Sequence, residues 1–417
     1  MERFTGLLGI LLILGLAFAL SNNRRAINYR LVGSGLAIQL GLAVFILKTS
    51  VGQRLFAWLG AGITKILDFS KEGAAFVFGP LVNTPVLTKA FGAENTFVFF
   101  FNIIPTIIFV AVLVSMAYHL GIMQRVVAVV ARVVHRLMGV SGAEALSNVA
   151  STFVGQVEAQ IMIKPYLPGM TMSELLASMA GSMACIAGGV MAVYIALGVP
   201  APYLLAASLM AAPGALVISK IVWPETEVSE TKGIVKLEIK KQDANLVDAI
   251  SHGASDGLKV GFNVIAMLIG FIALIALVNY VLGKIGLLAG FPQLSLKLIL
   301  GYLFAGFAWA MGVPTPDITT AGGLMGTKMV LNEFVAYLDL TALQRTAQAM
   351  TPKGLLITSF ALCGFANFSS IAIQVGGIGE LAPMRRADLA KLGFKALICG
   401  TLASYLSATL AGLLSGL

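Results

Sequence analysis

Five stretches of this chain, residues 95–124, 175–219, 260–283, 354–379 and 396–417, run for 22 to 45 residues without a single Asp, Glu, Lys or Arg. A bilayer-spanning helix needs roughly 20 mostly apolar residues, so a chain built this way is committed to a membrane. The 175–219 stretch is long enough for two helices, with Gly198-Val199-Pro200-Ala201-Pro202 as the turn between them. Weaker apolar segments at 5–20 and 31–47 add two more spans, which predicts an all-α polytopic protein with about eight crossings. With 58% of residues hydrophobic and 11% charged, too little polar surface remains to coat a water-soluble domain.

The net charge of +9 is no nucleic-acid footprint, because the basic residues form short clusters beside apolar segments rather than one patch. Arg24-Arg25 with Arg30 follow the first span; Arg125, Arg132 and Arg136 follow the third; Arg385-Arg386 with Lys391 and Lys395 precede the last. If basic connections stay in the cytoplasm, all three clusters share one side and eight spans leave both termini outside. Ala17-Phe18-Ala19 resembles a signal-peptidase site, but the charge after the apolar stretch favours an uncleaved anchor. Cys185, Cys363 and Cys399 are scattered through apolar stretches, so neither a disulfide nor a metal cluster is expected.

Residues 1–121 are expected to supply the N-terminal spans. Residues 122–140 put Arg125, Arg132 and Arg136 on one face of a helix that should lie along the membrane surface. The polar stretch 223–259, with Glu225, Glu227, Lys240, Lys241, Asp243 and Asp248, reads as a cytoplasmic connection, and 260–300 as a further span and connection. Two segments, 141–174 and 301–337, are apolar yet interrupted by Gly, Pro and ionisable residues. Non-helical backbone at membrane depth survives only where protein or a watery cavity satisfies it, so each is expected to be a re-entrant hairpin. Each precedes an apolar stretch with an internal break, at Gly188-Gly189 and at Asn367-Phe368-Ser369-Ser370. Hairpin, broken span, span thus occurs twice, in 141–222 and 301–417, as an inverted repeat with the substrate site between the copies.

Glu158 and Glu333, one per hairpin, are the acids singled out, since an unpaired carboxylate at the bilayer centre costs about 2.5–3.5 kcal/mol or more. The structural alternative is that each pairs with a nearby base, Lys164 or Lys328. A channel would need a continuous polar lining. A membrane enzyme acting on a lipid headgroup would need clustered Asp or His, whereas His119, His135 and His252 are scattered.

The run from Gly326-Thr327-Lys328 to Asn332-Glu333-Phe334-Val335-Ala336-Tyr337 closely resembles the signature G-x-K-x-x-x-N-E-F-V-A-Y of concentrative nucleoside transporters. Gly155-Gln156-Val157-Glu158 is similar to their G-Q-x-E motif, and residues 360–370 to their seventh-span break; the likeness covers essentially the whole chain. The resemblance implies eight spans, two opposed hairpins, a homotrimer in the bacterial inner (plasma) membrane and an elevator-type movement of the repeats against a scaffold. By the same resemblance Gln156 and Glu158 address the nucleobase with Val190, while Glu333, Asn367 and Ser370 hold the ribose near Phe365. Such groups suit an amide-like base edge and vicinal hydroxyls. Two acids and no P-loop pattern disfavour a phosphorylated substrate.

Sodium-coupled relatives place Asn, Thr and Ser where this chain has Ser151, Val157 and Cys185, beside the backbone carbonyls of Val154 and Ile186. A hard cation wants oxygen ligands, so the expected coupling ion is a proton carried on Glu158, with Glu333 the second candidate. Val157 also removes a hydroxyl that faces the base in relatives. No cofactor or resident metal is expected. The sequence reading is a nucleoside:proton importer; a nucleoside:sodium symporter with a rebuilt ion site is its rival.

Overall fold

A computed structural model describes residues 5–92, 98–231 and 243–415, and every regular element among them is helical. Residues 95–97 of the third apolar stretch and Lys240 and Lys241 of the polar connection lie outside the described residues. The N-terminal part comprises α1 (Thr5–Ala19), α2 (Tyr29–Lys48), α3 (Ser50–Phe78), α4 (Thr84–Phe91), α5 (Phe99–His119) and α6 (Ile122–Met138). The first repeat is α7 (Gly142–Ala150), α8 (Glu158–Ile161), α9 (Met172–Ala184), α10 (Gly188–Leu197) and α11 (Ala201–Val222). Two linking helices follow, α12 (Leu246–Leu288) and α13 (Leu296–Ala310). The second repeat is α14 (Ile318–Val330), α15 (Glu333–Leu343), α16 (Pro352–Leu362), α17 (Phe368–Leu381) and α18 (Arg386–Ser415).

Contacts between element ends define two membrane faces. At the basic face, Asn22 N donates to Val222 O at 3.0 Å and Gly142 N to Thr231 O at 2.8 Å. Arg385 donates there to the carbonyls of Leu167, Pro168 and Met170, and Lys395 lies 4.4 Å from the Trp223 ring centre. At the opposite face, Arg345 donates to Leu197 O at 3.3 Å, and Gly6 and Gly412 bring the ends of α1 and α18 against each other and against α16. The α7–α8 hairpin therefore enters from the basic face and α14–α15 from the other. Eight crossings result: α1, α2, α5, α9 with α10, α11, α12, α16 with α17, and α18.

Helix α3 is long and apolar enough to span but does not. Its Gly60 packs on Ala201 and Pro202 at the start of α11, and its Phe78 on Phe100 and Phe101 at the start of α5. Both contacts lie at the face opposite the basic one, so α3 runs along it, which is why Arg54, Lys65, Asp68, Lys71 and Glu72 are tolerated in it. This surface-lying helix was not among the elements expected from the sequence. In α6 the buried residues Gln124, Val127, Ala131, Val134 and Met138 form one stripe, and Arg125, Arg132 and Arg136 are exposed.

Some boundaries differ from those expected. Helix α12 begins at Leu246 and passes through 259/260 without interruption, because His252 pairs with Asp243 and Asp256, and Lys259 with Asp256, on its polar first turns. The limit at 300/301 falls inside α13, which packs along α14. The extended residues of the two breaks are 185–187 and 363–367; Gly188-Gly189 and Phe368-Ser369-Ser370 are instead the first turns of the half-helices that follow.

The two breaks cross. Phe365 N donates to Cys185 O at 3.3 Å, and a Cβ added at Gly364, whose φ is +128°, would sit 2.6 Å from Ala184 O. Only glycine permits both the left-handed backbone and this approach. Gly364→Ala is expected to cost about 3 kcal/mol through overpacking and backbone strain. It should lower the melting temperature in detergent by several degrees, whereas Gly376→Ala, with open space around its Cβ, should leave it unchanged.

Candidate functional site

The hairpin tips meet the broken spans near the middle of the fold. In the first hairpin, the 151–157 turn leads into α8, of which Glu158 is the first residue. Gly155 leaves room for the Glu158 carboxylate, which would collide with any side chain there. In the second, Asn332 caps α15 by accepting from Val335 N at 2.9 Å, making Glu333 the first helical residue. Asn367 caps α17 in the same way, accepting from Ser370 N at 2.9 Å. The N-termini of α15 and α17 thus converge where a negative or hydroxyl-bearing group is favoured.

Beside this junction lies a cavity of about 390 Å³. Gln156, Val157, Glu158, Val190 and Phe365 line it, as does Val154 from the expected ion position. Glu333, Asn367 and Ser370 sit directly behind this lining. Glu333 is buried and accepts from Tyr194 Oη at 2.9 Å and from Asn367 Nδ2 at 3.1 Å. Gln156 Nε2 donates to Ser370 Oγ at 3.0 Å, and Gln156 Oε1 accepts from Gln374 Nε2 at 3.1 Å.

The two carboxylates differ in surroundings. Glu333 is enclosed, whereas Glu158 is exposed and faces the cavity, with no side-chain hydrogen bond or ion pair among the described residues. Glu158 is therefore not sheltered as the sequence suggested: a first-turn residue of a four-residue helix at the hairpin tip points into the opening. Neither base provides the pairing left open by the sequence. Lys328 donates to Ala361 O at 2.9 Å, at the carbonyl end of α16, and Lys164 is exposed and pairs with no acid among the described residues.

At the expected ion position, Ser151 Oγ donates to Ser147 O at 2.8 Å and lies 2.9 Å from Ser182 Oγ. Val157 packs on Gly377, and Cys185 Sγ is 3.6 Å from Thr152 Oγ1. The carbonyl oxygens of Val154 and Ile186 accept from no donor among the described residues. Two supports escaped the sequence reading, Tyr194 and Gln374. Each follows an expected site residue, Val190 or Ser370, by four positions and so lies on the same helix face.

Family models described as "Na+ dependent nucleoside transporter C-terminus", "Na+ dependent nucleoside transporter N-terminus" and "Nucleoside recognition" match residues 203–412, 8–81 and 100–201. The chain belongs to the concentrative nucleoside transporter family. It is 42% identical to the uncharacterized transporter YutK of Bacillus subtilis, covering 99% of this chain and 100% of that one. It is 39% identical to the nucleoside permease NupC of Helicobacter pylori, covering 98% and 97% respectively. The structure of CNTnw in an inward-facing substrate-bound state superposes with a TM-score of 0.94 at 39% identity, over 100% of this chain and 98% of CNTnw.

As a member of this family the protein is a multi-pass nucleoside transporter and not an enzyme, which removes the headgroup-processing reading. Of the expected site residues, Gln156, Ser370, Glu333 and Asn367 are held by a buried polar network that single substitutions can loosen. Gln374→Leu leaves Gln156 Oε1 without its donor and should raise the half-saturation concentration for uridine uptake about five- to tenfold. An unchanged value in an uptake assay would mean that Gln156 is positioned without it.

Proposed function

We propose that this protein is a proton-coupled nucleoside importer of the bacterial inner (plasma) membrane, with the basic face cytoplasmic and both termini outside. The hairpins and broken spans act as the moving part, and α1 to α6 with α12 as the scaffold, in an elevator-type cycle. A homotrimer suits the barely buried apolar length of α12, which exposes Phe262, Ile269, Ile272 and Leu277. The cavity volume falls in the range of small-molecule sites. Within it Glu158 and Gln156 take the base, and Glu333, Asn367 and Ser370 take the ribose hydroxyls once the nucleoside displaces the Tyr194 and Asn367 contacts.

One observation carries the proton: an unpaired Glu158 faces a scaffold wall of Ile107, Ala111, Val114, Val260 and Val264. While the cavity is open, the carboxylate exchanges protons with solvent. Sliding past apolar side chains, an ionised carboxylate would lose its hydration, so its neutral form is the one that travels. Substrate binding and protonation thus converge on one side chain.

Proteoliposome uptake of uridine and adenosine under separate proton and sodium gradients tests this reading. The wild type is expected to respond to the proton gradient, and Glu158→Gln to lose that response and to lose at least tenfold in concentrative accumulation. Gradient dependence that survives intact in Glu158→Gln would remove Glu158 from coupling. The rival sodium-coupled reading is favoured by the family description and by the free carbonyls of Val154 and Ile186. Under the proton reading, Ser151→Asn, Val157→Thr and Cys185→Ser combined should create sodium dependence that the wild type lacks; sodium-driven uptake by the unmodified protein would favour the rival.

A further inference from the structure

The cavity has two unlike walls. The repeat side presents Gln156 and Glu158, while the scaffold side is apolar except for one residue of α5, Tyr118, which continues the face formed by Ile107, Ala111 and Val114. The Tyr118 hydroxyl is buried and has no hydrogen-bond partner among the described residues. Tyr118 and Glu158 line the same cavity. A buried hydroxyl without a partner costs about 1–3 kcal/mol, so a protein that keeps one beside its binding cavity gains when a ligand supplies the acceptor.

The neighbouring polar groups indicate what that ligand atom is. Both ends of the Gln156 amide are already engaged, by Ser370 and Gln374. Glu158, which keeps an acceptor oxygen in either protonation state, and Tyr118, a donor, have no partner among the described residues and line the cavity. A nucleobase edge carries an N–H next to a carbonyl oxygen or ring nitrogen, which matches an acceptor beside a donor. We propose that Tyr118 is a specificity-determining residue supplied by the scaffold, donating to the lone-pair atom of the base edge whose N–H Glu158 accepts.

Tyr118 lies one residue from the end of α5, at the basic face. The rest of this inference depends on the moving-hairpin reading above: if the hairpins travel and α5 does not, Tyr118 reaches the base only while the site faces the basic side. Nucleoside affinity is then higher on that side by the value of one hydrogen bond.

Tyr118→Phe tests it, since the variant keeps the ring and removes only the orphan hydroxyl. Half-saturation for uridine should rise about three- to tenfold in inside-out membrane vesicles, where the basic face is presented, and less than twofold in intact cells. The melting temperature of the ligand-free protein in detergent should not fall, while the upward shift produced by uridine should shrink. No change in half-saturation from either side overturns the Tyr118 contact and leaves the moving hairpins untouched. An equal rise from both sides overturns the one-sided assignment, and the moving-hairpin reading with it.

Discussion

A backbone interrupted in the middle of a bilayer must find partners for its N–H and C=O groups within the protein, because the hydrocarbon offers none. Among the described residues there are four such interruptions, two hairpin tips and two helix breaks, arranged to satisfy one another. Gly188 N donates to Phe153 O at 3.0 Å, joining the first tip to the first broken span, and Phe365 N donates to Cys185 O, joining the two breaks. Lys328 covers a carbonyl at the end of α16, and Asn332 and Asn367 cover the first turns of α15 and α17. No single repeat could close this circuit, so the two have to fold against each other. The polar groups that recognise substrate stand where polar backbone has already been accommodated.

The bases of the hairpins are closed differently at the two faces. At the basic face Lys220 pairs with Glu144 and donates to Ser173, while Glu174 accepts from Ser229 and Thr231, tying the segment after α11 to the starts of α7 and α9. At the other face Asp317 accepts from both the backbone N–H and the hydroxyl of Thr351, the cap of α16. Each arrangement fastens a hairpin to the first turn of its broken span, through Lys220 bridging Glu144 and Ser173 at one face and through the N-cap Thr351 at the other. The task is common to both repeats and the residues are not, which is why comparing the two halves residue by residue reveals so little.

Hydropathy located most spans because the charge-free stretches coincide with them, and it missed α3 because length and apolarity do not say which way a helix lies. The breaks were displaced by a few residues for a related reason. Asn367 is the N-cap of α17 and Gly188 the first residue of α10, so both mark where regular structure resumes rather than where it stops. Glu158 and Glu333 were legible as rare acids in apolar surroundings, and the cap role of Asn367 follows from its residue type. Tyr194 and Gln374 look like ordinary span residues until the crossing of α10 with α15, and of α17 with the first tip, supplies their partners. Depth in the membrane was readable, but whether a side chain at that depth faces protein or a cavity was not, and this separates Glu158 from Glu333.

The ion position shows how such tertiary placement bears on coupling. Behind the first hairpin, Ser147, Ser151, Gln160, Ser178 and Ser182 form a buried cluster in which Gln160 donates to Ser147 and Ser182 and accepts from Ser178, while Ser151 reaches Ser147 O and Ser182. These hydroxyls are already engaged with one another. Ser151 donates to Ser147 O and meets Ser182, so its hydroxyl can offer a cation one lone pair at most. The remaining oxygens, the carbonyls of Val154 and Ile186, fall well short of the six or so ligands that a hard cation such as calcium gathers. A carboxylate needs no such shell, since one proton neutralises it, and Glu158 lines the open cavity. The shortage of oxygen ligands at the ion position and the openness of Glu158 therefore favour the same carrier.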